Sequence, residues 1–169
     1  MINRRSLIIC LGASLASSSQ EAIAHIASKP FAVDSVYLPQ QVKFTSDYAT
    51  GTIVVDTYGI GVGRAGLAWA GTAEVGRKAK WPSWTPTANM IRREPHKYAR
   101  YANGVPGGPS NPLGSRALYL YRDGRDTYYR IHGTTEPWTI GKAVSNGCIR
   151  LLNEHVEDLY ERVLVGPPV

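Results

Sequence analysis

"SRALYLYRDGRDTYYRIHG", residues 115–133, carries the strongest structural signal in the chain. Two runs rich in aromatic and β-branched residues flank Asp123-Gly124. An Asp-Gly pair accepts the positive φ angles of a two-residue type I′ turn, whose twist matches that of antiparallel strands. The stretch predicts a β-hairpin whose second strand closes at His132. Upstream, "GTIVVDTYGIGVG" (51–63) reads as one or two strands from its β-branched content. "GLAWAGTAEVGRKAKWPSWTPTANMIRREP" (66–95) reads as irregular, broken by Pro82, Pro86 and Pro95, and "NGVPGGPSNPLG" (103–114) reads as a loop. Downstream, "NEHVEDLYERV" (153–163) sets Val156, Leu159, Tyr160 and Val163 on one helical face. Asn153 is a candidate N-cap, and Glu154, Glu157 and Asp158 suit the positive end of that helix. The expected fold is mainly β, with one C-terminal helix and few others. Tyr119, Tyr121, Tyr128 and Tyr129 are expected to pack the strands, and Trp69, Trp81 and Trp84 to be buried or half-buried.

The chain has 169 residues and a net charge of +6. Arg4 and Arg5 precede the apolar run "LIICLGASLA" (7–16), and Ala22 and Ala24 stand at the spacing a signal peptidase accepts. That run is too short to span a bilayer, which takes ~20 apolar residues. Residues 1–24 therefore read as an export signal, 25–49 as an N-terminal extension and 50–169 as a single domain. The basic balance suits an anionic wall or membrane surface, and it equally suits plain solubility. No dense Lys/Arg stripe marks a nucleic-acid site. Export implies the periplasm or cell envelope. Loss of Cys10 with the leader would leave Cys148 as a lone thiol in an oxidising compartment, a liability unless its reactivity is used.

His132 and Cys148 frame a loop-like segment, "GTTEPWTIGKAVSNG" (133–147). A strand end and a returning loop can bring an imidazole beside a thiol, which nucleophilic cysteine chemistry requires. A nearby imidazolium would favour the thiolate, and His132 could then shuttle protons to and from the reacting amines. Gly147 allows close approach of a substrate carbonyl, and the N–H groups of Gly147 and Cys148 are candidate oxyanion donors. Arg150 could bind a substrate carboxylate or hold the loop. Thr134 and Ser145 could orient His132 or the loop, and Trp138, between base and nucleophile, could contact substrate. No ligand spacing for a metal is present.

"IHGTTEPWTIGKAVSNGCIRLLNEHVEDLYERVLVGPPV" (131–169) resembles the signature of the L,D-transpeptidase catalytic domain (YkuD-type): an H-G pair, P-x-x-I-G, S-x-G-C-I-R, then an N-x-x-V-x-x-L-Y helix and V-G-x-P-V. "NPLGSRALYL" (111–120) matches the strand ahead of the H-G pair, and "GVGRAG" and "WPSWTPT" match a weaker upstream pattern. The resemblance implies an L,D-transpeptidase-like β-sandwich. It implies an exported enzyme whose cysteine attacks a peptidoglycan tetrapeptide, expels the terminal D-alanine and passes the acyl group from a thioester to an amine. It assigns the nucleophile to Cys148, the general base to His132, and the oxyanion loop to Ser145, Asn146, Gly147 and Cys148, with Gly133 completing the H-G pair. Arg150, Thr134 and Trp138 stand as substrate-binding candidates. Neither metal nor organic cofactor is implied; the partners are peptidoglycan stem peptides, with a wall-anchored protein as a possible acceptor, and the chain is expected to be a monomer. Carbapenems acylate many members. Two departures stand out. Asn146 occupies a position where many members have histidine, and near residues 56–58 two strands of about 5–6 residues expected in the family are missing. Hydrolysis of the thioester by water, or a non-catalytic wall-binding role, are the alternatives to transfer.

Overall fold

The computed structural model describes residues 32, 34–38, 45, 47–48, 52–55, 60–166 and 169. The export signal expected over 1–24, and the missing strands expected near 56–58, fall outside these residues. The regular elements are β1 (Val62–Gly63), β2 (Glu74–Lys80), α1 (Ala88–Arg93), α2 (Pro95–Tyr98), β3 (Arg116–Arg122), β4 (Arg125–His132), β5 (Ala143–Ser145), β6 (Ile149–Arg150) and α3 (Asn153–Arg162). They build a four-stranded sheet in the order β2-β3-β4-β6 and a two-stranded sheet of β1 and β5.

The hairpin forms where the sequence places it. Asp123 and Gly124 both have positive φ, 51° and 70°, as the type I′ turn requires. β2 adds antiparallel to β3, whereas β6 joins β4 in parallel, with Ile131 opposite Ile149 and His132 opposite Arg150. On one face of this sheet Val75, Leu118, Leu120 and Ile131 are at most 1% exposed, and Ile149, Val156 and Val163 complete the core. α3 lies against it through Val156, with Leu159 and Tyr160 packed alongside.

Three readings of the sequence are corrected. The first concerns 66–95, which is not irregular throughout. β2 passes unnoticed because its burial does not alternate. Val75 is buried, and Lys78 turns its ammonium onto the carbonyls of Tyr160 and Val163 at the end of α3, where a cation complements the helix dipole. α1 starts on Thr87, whose hydroxyl accepts from the Met90 N–H at 3.2 Å.

The second correction concerns 51–63, where among the described residues Val62–Gly63 form a strand and 52–55 do not. The third concerns Asn153, which does not cap α3. Leu152 is the N-cap residue, with no side-chain cap bond. The Asn153 Oδ1 instead accepts the N–H groups of Ser115 and Thr134, both at 3.2 Å, tying the ends of β3 and β4 to the helix.

β4 also carries a feature that alternation could not reveal. Tyr119 pairs with Arg130, but Tyr121 pairs with Asp126, so β4 holds extra residues over 127–129. Tyr128 sits there with φ 64° and is 71% exposed, contrary to the packing expected of it. Its neighbour Tyr129 turns inward and stacks on Trp69 with ring centroids 5.0 Å apart. Tyr119 is buried as expected, flanked by the guanidinium groups of Arg77 and Arg130. Trp84 packs on Tyr98 and Tyr101 as expected, while Trp81 is 45% exposed rather than packed.

Candidate active site

The parallel pairing of β4 and β6 positions the chemistry. Ile131 and Ile149 belong to the core, so the neighbouring residues His132 and Arg150 project from the other face, by the alternation of a strand. Cys148 is the residue entering β6, and the backbone N–H of Arg130 faces its sulfur and favours the thiolate. His132 and Cys148 are therefore diagonal neighbours on adjacent chain segments. A cavity of about 350 Å³ lined by Ile131, Ile149 and Leu159 does not include Cys148 or His132 in its wall.

His132 is 3% exposed, and its Nδ1–H donates to the Gly133 carbonyl at 2.5 Å. The Leu113 carbonyl also approaches the ring and, like that of Gly133, favours a ring N–H. Burial, helped by the positive charges of Arg150 and Arg130, lowers the pKa of His132 to about 4. Burial also pushes the Cys148 thiol up, although the Arg130 N–H and the charges of Arg130 and Arg150 act in the opposite direction. The resting pair is thus thiol and neutral imidazole, not the imidazolium and thiolate that the residue types alone suggest. No hydrogen bond joins the two. The thiol is half-buried and donates weakly to the Tyr128 carbonyl, with sulfur and oxygen 3.8 Å apart. The bulge in β4 delivers that carbonyl.

Ser145 organises the loop before the thiol. Its buried hydroxyl donates to the Cys148 carbonyl at 2.6 Å and accepts the Gly147 N–H at 3.0 Å. The Gly147 N–H expected to serve an oxyanion is therefore engaged, while the Cys148 N–H donates to no described residue. Gly147 has φ 122°, and a Cβ there would lie 2.5 Å from the Tyr129 ring and 2.7 Å from the Leu67 carbonyl. Glycine is required at this point for both reasons. Gly133 is confined in the same way: a Cβ would lie 2.2 Å from Asn153 Oδ1.

Asn146 is the centre of a polar cluster that the sequence did not reveal. Its Nδ2 donates to the Tyr98 hydroxyl at 2.6 Å, and its Oδ1 accepts from Arg64 and Arg93, each at 3.0 Å. Arg64 is also ion-paired with Glu94, whose carboxyl it holds below the usual carboxylate range.

The three residues expected to bind substrate are placed differently. Arg150 donates to Glu136 at 2.8 Å and to the Thr139 hydroxyl at 3.3 Å, so its charge is already paired. Thr134 is 4% exposed; its N–H goes to Asn153 and its hydroxyl accepts the Glu136 N–H at 2.9 Å. Both hold the loop between base and nucleophile rather than face solvent. Trp138, in a short 3₁₀ turn at Pro137–Thr139, is 52% exposed. Among the described residues, no group of three or more His, Cys, Asp and Glu could hold a metal ion, and no helix is long and apolar enough to cross a membrane.

Comparison with known proteins finds relatives of this chain. The "Probable L,D-transpeptidase YbiS" of Escherichia coli (strain K12) is 42% identical over 131 residues, which cover 72% of this chain and 39% of that protein. The "Probable L,D-transpeptidase ErfK/SrfK" of the same organism is 39% identical over 126 residues, covering 72% and 38%. The chain thus spans about two-fifths of the length of these relatives. A solved structure described as "Probable carnitine operon oxidoreductase caia from Brucella melitensis" matches with a TM-score of 0.53 and 49% identity over 78% of this chain and 91% of that one. The family model for the L,D-transpeptidase catalytic domain matches residues 35–169, a span that holds β1 through α3 together with the thiol, the imidazole and the loop between them. The chain belongs to the L,D-transpeptidase catalytic domain (YkuD) family.

Proposed function

We propose that this chain is an exported cysteine L,D-transpeptidase that joins peptidoglycan stem peptides, or attaches a protein to the wall, through a thioester on Cys148. The observation that carries the reading is the β4–β6 pairing. It sets a half-buried thiol and a neutral imidazole held by a backbone carbonyl on one sheet face, within the field of the same two arginines.

The chemistry follows from the resting protonation states. A rotation of the Cys148 side chain from the Tyr128 carbonyl toward His132 Nε2 makes the catalytic hydrogen bond, a contact that often forms only with substrate bound. Nε2 takes the thiol proton as sulfur attacks the donor carbonyl carbon. The oxygen becomes an oxyanion against the Cys148 N–H. The C–N bond then breaks, and His132 returns the proton to the leaving amine. In the second half the acceptor amine attacks the thioester and His132 takes its proton; the C–S bond breaks, and His132 returns that proton to the leaving sulfur. Arg130 and Arg150 favour negative charge on sulfur and disfavour positive charge on His132, so they stabilise the sulfur anion and shorten the lifetime of the imidazolium.

The description of the Brucella melitensis protein as an oxidoreductase belongs to that protein. Here the thiol, imidazole and free N–H support acyl transfer. The test is incubation with tetrapeptide muropeptides, using native protein and Cys148→Ala. Cross-linked dimers from the native protein alone are expected. Tripeptide without dimers would replace transfer with hydrolysis, and unchanged tetrapeptide would overturn the reading.

A further inference from the structure

We propose that Arg93, supported by Arg64 and Asn146, is a carboxylate-binding subsite beside Cys148 that selects the donor by its negative charge; this rests on the acyl-transfer reading above. Two guanidinium groups approach one neutral amide oxygen, Asn146 Oδ1, from 3.0 Å each. The amide is fixed in that orientation because its Nδ2 is bonded to the Tyr98 hydroxyl. An amide oxygen carries only a partial charge, so the pair of cations is not neutralised by it. Glu94 answers Arg64, with which it is ion-paired. Arg93 makes no direct ion pair among the described residues, sharing only the field of Glu94 with Arg64, and it is exposed at the end of α1. The surrounding segment adds exposed Arg92, Lys97 and Arg100 against the single carboxylate of Glu94, so the local field is positive.

The place of this charge matters. Asn146 precedes Cys148 by two residues, a span of at most about 7 Å along the chain. The turn carrying Arg64 packs onto the same loop: the Arg64 N–H donates to the Ser145 carbonyl at 3.1 Å. A planar guanidinium with free N–H groups can hold a carboxylate in a bidentate, charge-assisted contact. On a donor peptide attacked at its third residue, two carboxylates come within that range. One is the terminal carboxylate of the leaving residue. The other is the side-chain carboxylate of a dicarboxylic third residue. Arg93 would serve either source.

The experiment uses the full chain and four synthetic tetrapeptide donors, with a carboxylate or a carboxamide at each of the two positions. The readout is kcat/KM for release of the terminal residue. The native protein should prefer the carboxylate over the carboxamide by ~10-fold or more at one position, the scale of a charge-assisted hydrogen bond at an exposed site. That position identifies the source. Arg93→Gln should bring the ratio near one, mainly through KM, with thermal unfolding unchanged, and Arg93→Lys should retain part of the preference. Arg92→Gln, an exposed neighbour whose guanidinium bonds Asn89, should leave the ratio as it is. A ratio unaltered in Arg93→Gln, or altered equally by Arg92→Gln, overturns the subsite while leaving acyl transfer intact. If the native protein consumes none of the four donors, the acyl-transfer reading itself fails.

Discussion

Burial of His132 makes a quantitative claim about stability. The imidazole is 3% exposed, and its pKa falls from 6.5 to about 4 in the folded protein. The unfolded chain therefore binds a proton between pH 6.5 and 4 that the folded chain refuses. A depressed folded-state pKa gives stability that is fully present above 6.5 and is lost as the pH falls through 4. At 1.36 kcal/mol per unit, a gap of that size corresponds to about 3 kcal/mol. That is a large share of the ~5–15 kcal/mol that holds a domain folded. Urea unfolding at pH 7.5, 6, 5 and 4 measures it, with His132→Asn as a partner that does not titrate. With a slope near 2 kcal/mol per molar urea, the native midpoint should fall by roughly 1.5 M more than that of the variant across this range. The acidic groups titrate in both proteins and cancel in the difference. If the two midpoints fall in parallel, His132 is not buried in its neutral form and the protonation states assigned to the site are wrong.

Other substitutions probe separate parts of the scaffold. Gly147→Ala should lower the melting temperature and reduce Cys148 acylation by ~100-fold or more, because the new methyl meets the Tyr129 ring and the Leu67 carbonyl. Normal acylation by that variant would show that the loop is not confined. Ser145→Ala removes both the acceptor for Gly147 and the donor to the Cys148 carbonyl, and should slow acylation more than it lowers stability, as read by kinetics beside thermal melts. Asn153→Ala leaves the N–H groups of Ser115 and Thr134 without their acceptor and should cost ~2 kcal/mol in denaturant unfolding, whereas Asn153→Asp should cost less. Leu118→Ala, at a fully buried position of β3, should cost about 3–5 kcal/mol by the same measurement.

Local rules made the hairpin and α3 legible. Asp123-Gly124 dictates its turn whatever surrounds it, and the apolar stripe of α3 repeats at the helical period. The thiol and imidazole were legible from residue type and from the motif around them. Features created by contacts between distant segments were not. β2 relies on the contact of Lys78 with α3, which no alternation records. The bulge that presents the Tyr128 carbonyl arises from the register of β4 against β3. Arg64 and Asn146 stand 82 residues apart and meet only after folding. Asn153 has the residue type of a cap, yet the two free N–H groups above it compete for its oxygen and win.

The pH dependence of Cys148 acylation by a carbapenem, followed by intact mass, bears most directly on a thiol activated by a neutral buried imidazole. Activation by the imidazole predicts an adduct abolished by Cys148→Ala, and a rate nearly flat from pH 5 to 8 that collapses in His132→Gln. A rate climbing tenfold per pH unit across that range, undiminished by His132→Gln, would mean that free thiolate alone reacts, and would contradict it.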